Sequence, residues 1–152
     1  MRRKTIAENR KAYHDYSILE KFEAGIELRG TEAKSLREGS LNLRSGYAKT
    51  LNGEVLLYDV HIALYRNAGY AEHEPTRPRR LLLHKSEIRR IYGKQQEKGL
   101  TLIPLSFYFN ERGIVKVSLA LVKGKKSYDK REVIKRRMQL REIEEKRKHG
   151  RS

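Results

Sequence analysis

Apolar and polar residues alternate along several stretches of the chain, and this pattern predicts β-strands. The run YSILEKFEAGIEL, residues 16–28, predicts one long strand in which Gly25 is a bend or bulge. YAKTL and EVLLY flank Asn52 and Gly53, and Asn-Gly between two such runs predicts a hairpin with a two-residue turn. After a short apolar run, RLLL, the stretches LTLIPLSFYF and GIVKVSLALV predict a second hairpin with its turn at residues 110–113.

Two other stretches carry the start and stop signals of helices. TEAKSLREG predicts a short helix with Thr31 as its N-cap and Gly39 as its C-terminal stop. SEIRRIYGKQQEKG predicts a helix of about three turns after Ser86 as N-cap, because its apolar residues recur at helical spacing.

The order of these elements is strand, short helix, hairpin, strand, helix, hairpin. Because hairpins dominate and no βαβ repeat occurs, the sheet should be antiparallel. We therefore predict a mostly β fold, a small antiparallel OB-type barrel with two or three short helices. An open α+β sheet is the alternative.

Charge divides the chain into three predicted parts. The formal net charge is +16 over 152 residues, and half of this excess lies in the stretch that begins at Lys123. We predict a basic N-terminal arm at residues 1–14, a barrel domain at residues 15–122 and a basic C-terminal tail at residues 123–152. A field of this strength indicates a polyanionic partner, and nucleic acid is the usual one.

Several classes of function are disfavoured by the sequence. With no cysteine, the chain has no disulfide, thiol nucleophile or cysteine zinc site. The pair His73-Glu74 lacks the second histidine of a zinc-protease helix, since position 77 is Arg, and no complete phosphate-binding loop surrounds Gly124. We predict no catalysis, metal or cofactor. Without a long apolar run or signal peptide, we expect a cytoplasmic protein with no membrane partner.

Basic side chains beside aromatic ones indicate where a nucleic acid would bind. Asn9, Arg10, Lys11 and His14 lie next to tyrosines, a combination that suits phosphate contact and base stacking. A frayed, solvated N-terminus is the alternative. On the first predicted helix, Lys34 and Arg37 share a face, although many solvated helices look the same.

The C-terminal stretch predicts a helix that is unstable alone. Asp129 and Glu132 form a capping-box pattern, so a helix can run from Lys130 to about Lys148. Its apolar stripe is narrow, and an isolated helix of this kind is marginal in water. We therefore expect a tail that is disordered when free and helical when bound to a polyanion. A solvated or coiled-coil helix is the alternative.

The longer motifs resemble a known family. ENRKAYHDY, FEAGIELRGTEAKSLREG, GLTLIPLSFYFNERGIVKVSLALVKGKK and DKR, in this order and spacing, are similar to the small protein B family, the partner of transfer-messenger RNA (tmRNA) in bacteria. The resemblance implies an OB-fold that binds the tRNA-like part of tmRNA. It also implies a tail that occupies the decoding site and mRNA channel of ribosomes stalled without an A-site codon, which is the ribosome rescue called trans-translation.

The resemblance also implies roles for individual residues. Those expected to bind the tRNA-like RNA are Asn9, Arg10, Lys11, His14, Glu32, Lys34, Arg37, Lys123, Lys125 and Lys126. Those expected in the ribosome-contacting tail are Gly124, Tyr128, Asp129, Lys130, Arg131, Lys135, Arg136 and Arg137. Tyr128 stands where the family often has His, and it can stack on a base but cannot carry a positive charge.

Two other classes of function are alternatives. One is a nuclease or another enzyme, which the missing constellation of acids or metal ligands disfavours. The other is a different binding function with the same composition. A generic single-strand RNA-binding barrel or a ribosomal protein would have this charge and fold but would show little preference for tRNA shape. In either case the free protein is expected to be a monomer.

Overall fold

The structure is a computed structural model and describes residues 3–64, 74–97 and 99–124. Its elements in chain order are β1 (Lys4–Glu8), α1 (Arg10–Asp15), β2 (Tyr16–Ile26), α2 (Gly30–Arg37), β3 (Leu41–Asn42), β4 (Tyr47–Leu51), β5 (Glu54–Tyr58), β6 (His61–Ile62), β7 (Arg79–Leu82), α3 (Lys85–Gln95), β8 (Leu100–Phe109) and β9 (Val115–Gly124).

Six of the strands close into a barrel. They follow one another in the order β8, β4, β5, β7, β2, β9, and β9 pairs again with β8, which completes the ring. Every pairing is antiparallel, while β1 adds to β8 and β3 pairs separately with β6. This confirms the predicted mostly β antiparallel fold with short helices, and the sheet is closed rather than open.

Both predicted hairpins are present. In the first, Asn52 and Gly53 have φ angles of 51° and 77°, and two positive values in succession fit the tight turn that matches strand twist. In the second, the Asn110 side-chain oxygen accepts hydrogen bonds from the backbone N–H groups of Arg112 and Ile114, both at 2.9 Å. These local contacts make the two turns readable from sequence.

The helix starts differ from the prediction. α2 follows Arg29 as N-cap instead of Thr31, and α3 follows His84 instead of Ser86. In each case the cap backbone N–H donates to a glutamate three residues later, at 2.8 Å for Glu32 and 3.1 Å for Glu87, so the acid fixes the first turn.

Two glycine predictions had different outcomes. Gly39 ends α2 with φ of 75°, as predicted. The irregularity in β2 lies between Ile18 and Glu20, whereas Gly25 pairs in regular register with both Leu82 and Lys116. The predicted bulge at Gly25 is therefore wrong. A side chain there would contact the Leu82 Cβ at 3.3 Å, so close strand approach explains the glycine.

The N-terminal segment is folded where a basic arm was expected. β1 pairs with β8 from Lys4 opposite Phe109 to Glu8 opposite Ser106. Ala12 of α1 is buried in a second apolar cluster on strands β8 and β9, together with Ile103, Leu105, Ala120 and Val122. Residues 4–15 therefore belong to the same folded unit as the barrel, because Ala12 and the apolar residues of β1 find partners on the long second hairpin.

The main core fills the barrel, and α2 and α3 contribute Leu36 and Ile91 to it. The pairing between β4 and β8 is short, with Ala48 opposite Leu102 as its register pair. Beside it, the Gln95 side chain of α3 accepts from the Thr50 N–H at 3.2 Å and donates to the Ala48 carbonyl at 3.0 Å. Gln95 thus satisfies backbone groups of β4 where the strand ladder is short.

No helix in residues 3–64, 74–97 and 99–124 is both long and apolar enough to cross a membrane. The predicted tail helix lies outside the described residues. β9 itself extends to Gly124, two residues past the predicted end of the barrel domain.

Candidate nucleic-acid interface

A cleft separates the start of α1 from the segment that follows α2. Residues 7–11 form one wall and residues 41–44 the other, and the volume of this open cleft is about 420 Å³. Arg10 and Lys11 lie on the first wall and Arg44 on the second. Residues that are far apart in sequence therefore place three positive charges around one cleft, with Glu8 as the one acidic residue of its lining.

Asn9 orients this wall of the cleft. It is only 6% exposed, and its side-chain oxygen accepts a hydrogen bond from the Ala12 N–H at 3.3 Å, which caps α1. Its own N–H donates to the Leu105 carbonyl at 2.7 Å and so fixes the start of α1 to β8. Asn9 thus fixes the backbone of the turn that carries Arg10 and Lys11.

Arg10 and Lys11 extend from this anchored turn into solvent. The Arg10 side chain is 92% exposed, and its only ion pair within the described residues is a distant one to Glu8, at 3.9 Å. Lys11 is exposed and has no carboxylate partner in the described part of the chain. An exposed pair of this kind is weak, so both cations remain able to bind an anion.

Arg44 was missed by the sequence reasoning. Its N–H donates to the Asn42 side-chain oxygen at 3.1 Å, a local turn that leaves the Arg44 side chain exposed. The turn signal, Asn two residues before Arg, is visible in the sequence. The cleft is not visible there, because residues far apart in the sequence meet to form its two walls.

The end of α1 lies beside the end of β9. Tyr16 pairs with Gly124 and Ser17 with Lys123 across β2 and β9. His14 is exposed, and its Nδ1 lies 3.1 Å from an Asp15 carboxylate oxygen. The structure therefore brings the predicted residues of α1 near Lys123 and Gly124.

The burial of Glu32 contradicts its predicted role in binding RNA. Its side chain is completely buried, with 0% exposure, so it cannot contact RNA directly, and the prediction that it does is wrong. The Arg79 Nε donates to it at 2.5 Å, Arg77 donates through two nitrogens, and the Arg29 N–H donates at 2.8 Å. Because its position faces the barrel and the TRPRR segment supplies two arginines there, Glu32 links α2 to β7.

The two buried charges stabilise each other. Burial alone would raise the pKa of Glu32, but hydrogen bonds from Arg77, the Arg29 backbone and Arg79 outweigh it and hold the pKa below its usual value. Burial lowers the pKa of Arg79, an effect partly offset by Glu32. Arg79 also donates to the carbonyls of Val60 and Pro75, at 2.8 and 2.9 Å. This cluster is fully satisfied and belongs to the fold.

Lys34 and Arg37, the other predicted residues of α2, are exposed on its last turn. Residues 38–40 then connect Arg37 to β3 and the second wall of the cleft.

The family model described as SmpB protein matches residues 6–149. The chain belongs to the SmpB protein family.

Members of the SmpB family with curated names match nearly the whole chain. The SsrA-binding protein of Moorella thermoacetica is 59% identical over 92% of this chain and 90% of its own. That of Thermosipho africanus is 58% identical over 93% and 95%, and that of Syntrophobacter fumaroxidans 60% over 96% and 90%. A chain of the solved structure described as "tmRNA-SmpB: a journey to the center of the bacterial ribosome" is 54% identical with a TM-score of 0.68, over 82% of this chain and 87% of that one.

The remaining predicted SmpB-family positions lie outside the described residues. They are Lys125, Lys126, Tyr128, Asp129, Lys130, Arg131, Lys135, Arg136 and Arg137. Within residues 3–64, 74–97 and 99–124, no group of three or more potential metal ligands comes together.

Proposed function

We propose that this chain binds the tRNA-like part of tmRNA and delivers it to ribosomes stalled without an A-site codon, as in trans-translation. One observation carries the proposal: Arg10, Lys11 and Arg44 converge on one cleft with little or no compensation by carboxylates in the described residues. The names of its relatives and of its structural neighbour, which specify SsrA binding, tmRNA and the ribosome, identify the polyanion.

The cleft suits a folded RNA better than an extended one. The backbone positions that carry its cations lie on two separate walls, so the phosphates they bind must lie within a limited range of spacings. A tRNA-like fold keeps such a spacing, whereas a flexible strand must lose conformational entropy to adopt it. Recognition of shape therefore follows from the rigid anchoring of α1.

The C-terminal segment has the second role in this proposal. β9 ends at Gly124, which pairs with Tyr16 directly after α1, and the first residues of α1 line the cleft. The segment, with Tyr128, Asp129, Lys130 and Arg131, would occupy the empty decoding site and mRNA channel. The protein acts by binding, with no catalytic step of its own, and a ribosomal partner implies a cytoplasmic site of action.

Fluorescence anisotropy tests the first role. The full chain is titrated with an RNA that mimics a tRNA acceptor arm and elbow and with an unstructured RNA of equal length, at two salt concentrations. A preference for the folded RNA that persists at high salt supports the proposal. Equal binding that disappears with salt would instead favour a generic single-strand RNA-binding barrel.

Charge reversal tests the second role in the full chain. Changing Lys130 and Arg131 to Glu should reduce peptide tagging on stalled ribosomes while binding to the tRNA-like RNA changes little. An unaltered tagging yield would contradict a ribosomal role for these two residues.

A further inference from the structure

α3 presents a basic and aromatic face that the proposed function does not use. Lys85, Arg89 and Tyr92 follow one another at spacings of four and three residues, so they lie on one side of the helix. All three are exposed, and Tyr92, at 57%, is the most exposed large hydrophobic side chain among the described residues. We call these three residues the α3 face.

The positive charge of the α3 face is not compensated within the described part of the chain. The acids near α3 are occupied elsewhere: Glu87 accepts from the His84 N–H at 3.1 Å, Glu97 pairs with Lys94 at 3.3 Å, and Glu20 pairs with Arg90 at 2.7 Å. Lys85 and Arg89 have no ion pair in residues 3–64, 74–97 and 99–124. Two free cations beside an exposed aromatic ring are complementary to a polyanion that carries flat, stackable groups.

The helix that carries this face is held rigidly. Ile91 is fully buried in the barrel core, with Ile88 packed against it, and Gln95 bonds to β4. Arg90 joins the helix to β2 through Glu20. Because these contacts fix the helix, the backbone positions of Lys85, Arg89 and Tyr92 are preorganised, and binding costs less conformational entropy than it would on a mobile loop.

The α3 face is also a different part of the surface from the cleft. The contacts of α3 are mainly with β4 and β8, whereas the cleft is formed by β1, the start of α1 and the segment that begins with β3. No residue is common to both.

We propose that the α3 face is a second RNA-contacting surface, at which Lys85 and Arg89 bind backbone phosphates and Tyr92 stacks on an exposed base or ribose. The inference rests on the proposed function only in taking RNA as the polyanion. The RNA segment can belong to tmRNA or to the ribosome, and the experiment separates these two sources.

Site-specific crosslinking identifies the partner directly. A photoreactive phenylalanine analogue replaces Tyr92 in the full chain, and the complexes with the tRNA-like RNA and with stalled ribosomes are irradiated separately. Ile114 is the control position, because it is 52% exposed and lies at the turn of the second hairpin. We expect a crosslink to RNA from position 92 in one of the two complexes and a much weaker one from position 114.

Affinity measurements test the chemistry of the contact. Lys85→Ala combined with Arg89→Ala should lower the slope of log affinity against log salt by about 1.5 to 2 for the crosslinked partner, since two phosphate contacts are lost. Tyr92→Ala should weaken binding about tenfold, and Tyr92→Phe should restore it, since the ring face is kept. Arg112→Ala, which removes an exposed cation at the turn of the second hairpin, is the control for the loss of a charge.

The outcomes separate this inference from the proposed function. If position 92 crosslinks only to protein, or if the α3 variants behave like Arg112→Ala with both partners, the α3 face is not an RNA contact, while tmRNA binding at the cleft is unaffected. If the unaltered chain shows no preference for the tRNA-like RNA but position 92 still crosslinks to ribosomal RNA, the proposed function fails and this inference stands.

Discussion

Arginine has opposite roles in two regions of this molecule. In the buried cluster, Arg79 is completely enclosed and uses its nitrogens on Glu32 and two backbone carbonyls. At the cleft, Arg10 is almost fully exposed and Arg44 has no carboxylate partner in the described residues. The residue type is the same, but only the second group can bind an external anion.

The difference shows that positive charge alone does not locate an RNA surface in a chain with a net charge of +16. TRPRR has a higher density of arginine than the start of α1, and yet two of its three arginines serve the fold. A basic residue is able to contact RNA when its partners within the protein are weak or missing.

The largest expected effect comes from breaking the buried cluster. Glu32→Gln leaves Arg79 buried without a charged partner, which should cost about 3–5 kcal/mol of the free energy of unfolding. Urea denaturation followed by circular dichroism measures this. Glu27→Gln, which removes an exposed partner of Arg80, is the matched control. A Glu32→Gln protein that keeps its stability but loses RNA binding would show that Glu32 serves RNA binding and not the fold.

Acidification tests the same cluster without mutation. Because the pKa of Glu32 in the folded state lies below its unperturbed value of 4.5, the unfolded chain takes up a proton first as the pH falls. The stability due to this carboxylate is therefore complete above about pH 4.5 and is lost as the pH falls through the lowered folded pKa. As the pH falls through this window, the urea midpoint should fall less for Glu32→Gln than for the unaltered chain. An equal fall in both proteins would contradict the lowered pKa of Glu32.

An intermediate effect is expected at the cleft. Arg44→Ala removes one exposed cation, so affinity for the tRNA-like RNA should fall several-fold and the salt slope should decrease by about 1, with little change in stability. Anisotropy at several salt concentrations, beside urea denaturation, separates the two quantities. If Arg44→Ala destabilised the fold as Glu32→Gln does, the contrast between the two regions would not hold.

The smallest effect is expected for exposed ion pairs. Arg80 lies 3.2 Å from Glu27 and 3.5 Å from Glu54, and all three side chains are about half exposed. Arg80→Ala should therefore change the free energy of unfolding by only about 0–1 kcal/mol. A loss comparable to that of Glu32→Gln would show that partner number, and not burial, determines the contribution of an arginine.

The sequence predicted what depends on neighbours in the chain. Asn52-Gly53 and Gly39 are read correctly because a positive φ is a local demand, and the antiparallel barrel follows from the two hairpins. The buried ion pairs of Glu32 could not be predicted, because its partner Arg77 is 45 residues away in the sequence. For the same reason Arg44 was missed, since it lines the same cleft as Arg10 and Lys11, which are more than 30 residues away in the sequence.

The position of β9 has a mechanical consequence. It is the last strand of the described residues, and over nearly its whole length it lies between β2 and β8. A pull on the C-terminal segment along the strand would load two hydrogen-bond ladders in shear at once, instead of peeling them one bond at a time. Tension on the C-terminal segment would therefore be transmitted to the barrel as a whole, which would move as a rigid body before β9 was extracted.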